Sequence, residues 1–248
     1  MIPKQLIKNF RRELYLRKRN NIGKYGPSKK EKLEDRSLAD EDDAIQSLFD
    51  IYYHPNTLWA HVKGAGKHAI TDRPPYRSGV DALLNDLGQR IFDYLNHPTP
   101  SGFVFDSFHE GLCDAFLKDI NAIRANAGLA EMTYGQAQKL INLTFKYLAC
   151  YKDYRNPSFA PKFEPCHMVI DSKVLKYLES GTKLGKIYGS SIKISVPVIV
   201  QGRVNGRTWT RFGKGDYLML WATFLQLLSF VPTRTQKTPL EIEFEMWP

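Results

Sequence analysis

A chain of 248 residues is long enough for one large domain or two small ones, and 43% hydrophobic with 12% aromatic residues is a globular rather than a disordered composition. No run of about 18 apolar residues occurs, which excludes a membrane-spanning helix, and three cysteines (Cys113, Cys150, Cys166) are too few and too scattered for a disulfide framework. The net charge of +9 sits at one end: Met1 to Lys32 holds eleven Lys and Arg against Glu13 and Glu31, and the rest of the chain sums to zero. The N-terminus lacks the apolar core of a secretory signal, so a reducing cytoplasm is the expected setting, with no membrane partner.

In chain order, residues 3–20 pattern as an amphipathic helix, with Leu6, Ile7, Phe10 and Leu14 on one face. Arg11, Arg12, Arg17, Lys18 and Arg19 surround that face and are the expected nucleic-acid contacts of an N-terminal arm, because each phosphate contact releases counterions. A solvated basic helix is the plainer alternative. Residues 21–37, with Gly23, Gly26 and Pro27, form a linker. A helix over 39–53 begins with Asp40, Glu41, Asp42 and Asp43, which complement the positive end of a helix dipole. The stretch VKGAGKHA that follows is not a phosphate-binding loop: the spacing is wrong, and His68 stands after Lys67 where Ser or Thr is needed. Ser78-x-x-Asp81 is expected to cap a helix running to about Leu95, which HPTPS breaks. The next helix is expected over 105–125, beginning at Asp106-Ser107 and burying Leu112, Ala115, Phe116, Ile120 and Ile123.

Thr133-x-x-Gln136 is a capping box, and behind it Ala137, Leu140, Ile141, Thr144 and Leu148 recur at helical spacing. Lys139, Asn142 and Lys146 share another face of the same helix. Residues 151–168 contain Pro157, Pro161 and Pro165 and read as a loop. A further helix opens at Asp171-Ser172, natural N-cap residues, with Val174, Leu175 and Leu178 as its apolar stripe.

The character then changes. SIKISVPVIVQGRV and RTWTRF read as two β-type runs around Asn205-Gly206, a strong hairpin signal because both residues tolerate positive φ. Trp209, between Arg207 and Arg211, fits either a half-buried strand or a base-stacking, phosphate-gripping surface. Residues 216–230 return to helix, and Thr238-Pro239-Leu240-Glu241 is a second capping box opening a helix through Trp247. His109, Cys113, Cys150, Cys166 and His167 lack the paired spacing of a closed zinc site, so no metal and no cofactor are expected. The fold class expected is mainly α: a basic helix and linker over 1–37, then one compact helical domain over 38–248 of about eight helices, with one late β-hairpin at about 191–212.

The stretch from Ser107 to Ser180 resembles the helix-hairpin-helix DNA glycosylases. A capped helix carrying a lysine, then a short apolar run ending in an aspartate that opens the next helix (Val169-Ile170-Asp171), is the pattern. Lys139 and Asp171 stand 32 positions apart (171 − 139), a spacing similar to that of the archaeal 8-oxoguanine glycosylases. The LPGVG hairpin signature is absent, with MTYG in its place, and MVIDS lacks the proline of the family's PVD segment. The resemblance implies that Asp171 stabilises the sugar as it becomes oxocarbenium-like and that Lys139 attacks C1′. Gln136 and Lys146 would then contact nucleic acid, and Cys166 and His167 would line a base pocket. The function so implied is a monomeric DNA glycosylase that flips out and excises a damaged or modified base from a duplex, with strand nicking by lyase chemistry as an additional step. The alternative from another class is a non-catalytic nucleic-acid-binding or antiphage-defence module built on the basic N-terminus.

Overall fold

Thr133 and Asp171 each begin a helix. The computed structural model describes residues 74–97, 102–149, 160–181, 188, 196–231 and 237–246. The expected N-terminal arm, linker, acidic helix start and VKGAGKHA stretch lie outside the described residues. Among those described are seven α-helices and one two-stranded antiparallel sheet, the mainly helical architecture the sequence predicts. No helix among them is long and apolar enough to cross a membrane.

Helix α1 spans Pro74–Asn96 and α2 spans Gly102–Asn126. Both begin earlier than their expected caps. Ser78 therefore lies inside α1, a turn beyond the proline-led start that a helix tolerates because its first amides are unbonded anyway. Asp106 likewise lies inside α2, and its carboxylate turns to His167 rather than capping. Helix α3, Tyr134–Leu148, has the predicted capping box: the Thr133 hydroxyl accepts from the Gln136 amide, and the Gln136 side chain accepts from the Thr133 amide at 2.9 Å. The proline-bearing loop contains one helical turn, α4, Ala160–Phe163, with Pro161 near its start. Helix α5, Ser172–Ser180, is capped by Asp171 and closed by Gly181 in the left-handed conformation. Its stripe Val174, Leu175 and Leu178 is fully buried.

The late hairpin differs in detail from its expectation. Its ladder pairs Ile199 with Val204 and Val200 with Arg203, so strands β1 (Ile199–Val200) and β2 (Arg203–Val204) turn at Gln201-Gly202, both at positive φ. Asn205-Gly206 forms a second positive-φ turn immediately after, closed by a single Val204–Arg207 bridge. A non-glycine residue at positive φ carries strain. Glu179 on α5 offsets it at Gln201 by accepting both turn amides, that of Gly202 at 2.7 Å. Trp209 lies not on a strand but on a 3-10 turn, Trp209–Arg211.

Helix α6, Lys214–Ser229, and α7, Pro239–Met246, complete the described core. The Thr238 capping box is present, with the Thr238 amide donating to Glu241 and the Glu241 amide to Thr238. One continuous apolar cluster runs from α1 and α2 through α3 to α5, α6 and α7, including Phe105, Phe145, Leu175, Phe224 and Phe244.

Candidate active site around Lys139 and Asp171

Helix α3 carries more than an apolar stripe. Gln138, Asn142 and Lys146, spaced four apart on one side, are almost fully buried. Each bears on the backbone of 168–170, the segment leading into Asp171. Gln138 Nε2 donates to the Ile170 carbonyl at 2.9 Å, and Asn142 Nδ2 donates to the Met168 carbonyl at 2.9 Å. Lys146 Nζ pairs at 2.7 Å with Glu243 of α7, whose other carboxylate oxygen accepts the Val169 amide at 2.8 Å. Extended backbone inside a helical core has no ladder for its polar groups, so side chains must satisfy them. One backbone group on each of three successive residues is met in this way, which fixes where Asp171 emerges.

Asp171 Oδ1 accepts from the amides of Lys173 and Val174 at 2.9 and 3.0 Å. Its Oδ2 lies 3.6 Å from Lys139 Nζ. The two side chains are 14% and 19% exposed, at the rim of the core rather than within it. The amine also sits over the Trp209 ring, 4.4 Å from its centroid, in cation–π geometry. Trp209 is brought there by the start of α3: the Thr133 hydroxyl donates to the Thr210 carbonyl at 2.9 Å, and the Gly135 amide donates to the Phe212 carbonyl at 3.1 Å. A Cβ on Gly135 would fall 1.8 Å from the Trp209 carbonyl oxygen, so the 3-10 turn seats itself only on a glycine. This is what occupies the place of the missing hairpin signature at Met132–Gly135.

The remaining predicted site residues divide. Gln136 is engaged in the capping box. Lys146 is not a phosphate contact: it is 1% exposed and bound to Glu243. It shares an azimuth with Lys139 but lies about 10 Å further along the axis, and there Glu243 and Phe244 of α7 cover it. Cys166 and His167 are likewise buried, 0% and 2% exposed. The Cys166 thiol, fully buried, donates to the Lys162 carbonyl, and burial pushes its pKa well up. His167 Nε2 meets Asp106 at 2.6 Å, its Nδ1 meets the Tyr217 hydroxyl at 2.8 Å, and its ring lies tilted against that of Trp221, with centroids 3.9 Å apart. The five arginines and lysines of the arm, Arg11, Arg12, Arg17, Lys18 and Arg19, lie outside the described residues.

Sequence reasoning missed Glu243, Gln138 and the partners of His167. His109 packs 4.2 Å from the His167 ring and shares a hydrogen bond with Asn142 at 2.6 Å. Burial depresses both imidazoles: His167 falls to about 3, and His109, with a second imidazole beside it, lies well below the ordinary value. Neutral imidazoles bridging Asp106, Tyr217 and Asn142 tie α2, α3 and α6 to the segment before Asp171. One signal was readable beforehand: Gln138, Asn142 and Lys146 interleave with Ala137, Ile141 and Phe145, which places them within the buried arc. Among the described residues, no three potential metal-ligating side chains lie together. No protein family, curated protein or solved structure matches this chain.

Proposed function

We propose that the chain is a DNA glycosylase-like enzyme that excises a damaged or modified base from a duplex, with Asp171 and Lys139 as its chemical groups. The observation that carries the reading is the meeting of two residues 32 positions apart in sequence at 3.6 Å, beside an indole face at the edge of the core. Cleavage of an N-glycosidic bond develops positive charge on the sugar. A carboxylate held by two backbone amides is already oriented toward that charge and need not reorganise as it forms. Asp171 supplies that carboxylate. A lysine amine in its neutral form can attack C1′, displace the base and leave a Schiff base from which β-elimination nicks the strand. Lys139, 3.6 Å from Asp171 Oδ2 and over the Trp209 ring, supplies that amine.

The test is incubation with duplexes bearing 8-oxoguanine, uracil, alkylated or hypermodified bases, followed by alkaline cleavage of abasic sites. Abasic product from at least one substrate is expected. No product from any of them rejects the enzyme reading.

A second reading, a nucleic-acid-binding or antiphage-defence module without catalysis, is favoured by the charge concentrated in Met1–Lys32, which needs no active site. Deletion of residues 1–32 would then weaken binding across all sequences and flatten its salt dependence.

A further inference from the structure

The segment from Gly181 to Gly215 holds Lys183, Lys186, Lys193, Arg203, Arg207, Arg211 and Lys214 and not one acidic residue. The glycosylase reading leaves this second basic concentration unused. Its described part is anchored at both ends of the candidate site. At the far end of α5 from Asp171, Glu179 holds the Gln201 and Gly202 amides, and Arg203 follows directly. At the start of α3, the carbonyls of Thr210 and Phe212 are both bonded to that helix, so Arg211 between them is fixed on each side. Arg203, Arg207 and Arg211 are all exposed, but Arg207 is paired with the buried Asp216 at 2.8 Å. Helix α5, nine residues, is ~13 Å long, about four nucleotides of rise along one strand.

Resting on the glycosylase reading, we infer that the outer side of residues 199–211 binds the phosphate backbone of a DNA duplex, with Arg203 and Arg211 as its contacts. Guanidinium groups on pinned backbone lose little freedom on meeting phosphate, and they present the planar fork that phosphate oxygens match. Lys214, held by Glu110 and Asp114 at 2.6 Å each, is neutralised and stands outside this surface.

The experiment is anisotropy titration of the full chain with a labelled synthetic DNA duplex over a range of salt. Arg203→Gln/Arg211→Gln is compared with a control of equal charge change on α1 and α2, Arg90→Gln/Lys118→Gln. The site pair of substitutions is expected to weaken binding about tenfold at moderate salt and to lower the salt slope by about two, one per lost phosphate contact. The control should leave both unchanged. Wild-type affinity and slope in the site variant overturn the surface, as does an equal loss in the control. Arginine-dependent binding of a single-stranded RNA in preference to the duplex overturns it too. Excision measured in parallel separates the two claims. Arginine-dependent duplex binding without base release rejects the enzyme and keeps the surface. Asp171-dependent release with arginine-independent binding does the reverse.

Discussion

Lys146 and Glu243, 97 positions apart, form a fully buried ion pair at 2.7 Å beneath the segment that ends in Asp171. Burial raises the Glu243 pKa, and the Lys146 charge and hydrogen bond work against that rise. A buried pair is worth little against a well-packed apolar substitute, but removing one partner leaves a charge without compensation.

Lys146→Met and Glu243→Gln are each expected to destabilise the fold by about 3–5 kcal/mol, while the double variant recovers most of the loss. In the double variant the side-chain amide introduced at position 243 still offers a carbonyl to the Val169 amide, so the backbone group remains satisfied. Urea unfolding of the four proteins measures the coupling. Additive losses would mean that the pair does not act as a unit.

The contact between α3 and the 3-10 turn gives a prediction of sign. On an exposed helix position, glycine to alanine stabilises by up to about 1 kcal/mol. At Gly135 the new methyl meets the Trp209 carbonyl, so Gly135→Ala is expected to cost at least ~2 kcal/mol and to move Trp209 off Lys139. Thermal unfolding and tryptophan emission report the two effects. A stabilised Gly135→Ala protein would show that the turn does not seat there.

Much of the site frame is legible in the sequence because it is local. Thr133 and Gln136 cap within three residues, and Asp171 caps amides two and three residues on, so each helix start follows from spacing alone. The environment of Lys146 is not legible. Its azimuth is given by the helical period, but its depth depends on where α7 lies, and nothing near residue 146 encodes that. His167 and Cys166 mislead for the same reason: adjacency to Asp171 in the chain says nothing about which side of the segment faces the core. Asn-Gly does turn the chain, but the ladder forms one turn earlier because Glu179, on another element, holds the Gln201 and Gly202 amides.

The paired imidazoles set a pH dependence. Their folded-state pKa values lie below the ordinary value of about 6.5, so as pH falls the unfolded chain takes up protons first. The stability they contribute is present above about pH 6.5 and is lost progressively toward the folded-state value of about 3 for His167. Unfolding midpoints in urea should therefore fall between about pH 7 and pH 5, a window above most carboxylate titration. His109→Gln, which can still donate to Asn142, should make that fall shallower. An unchanged pH profile in the variant would mean that His109 does not titrate with unfolding.

Borohydride separates a nucleophilic lysine from one that only binds. With a cleavable duplex, trapping should yield a covalent protein–DNA adduct that is absent from Lys139→Gln. An adduct that persists in the variant assigns the attack to another amine. Excision without any adduct leaves Lys139 as a contact and water as the nucleophile.

The most direct measurement is single-turnover base release by Asp171→Asn beside the wild type. Asparagine caps a helix as well as aspartate does, so the variant should keep its thermal midpoint within a few degrees. Without the negative charge facing the sugar, release is expected to fall at least ~100-fold. Wild-type release rates from a folded Asp171→Asn protein would contradict the account.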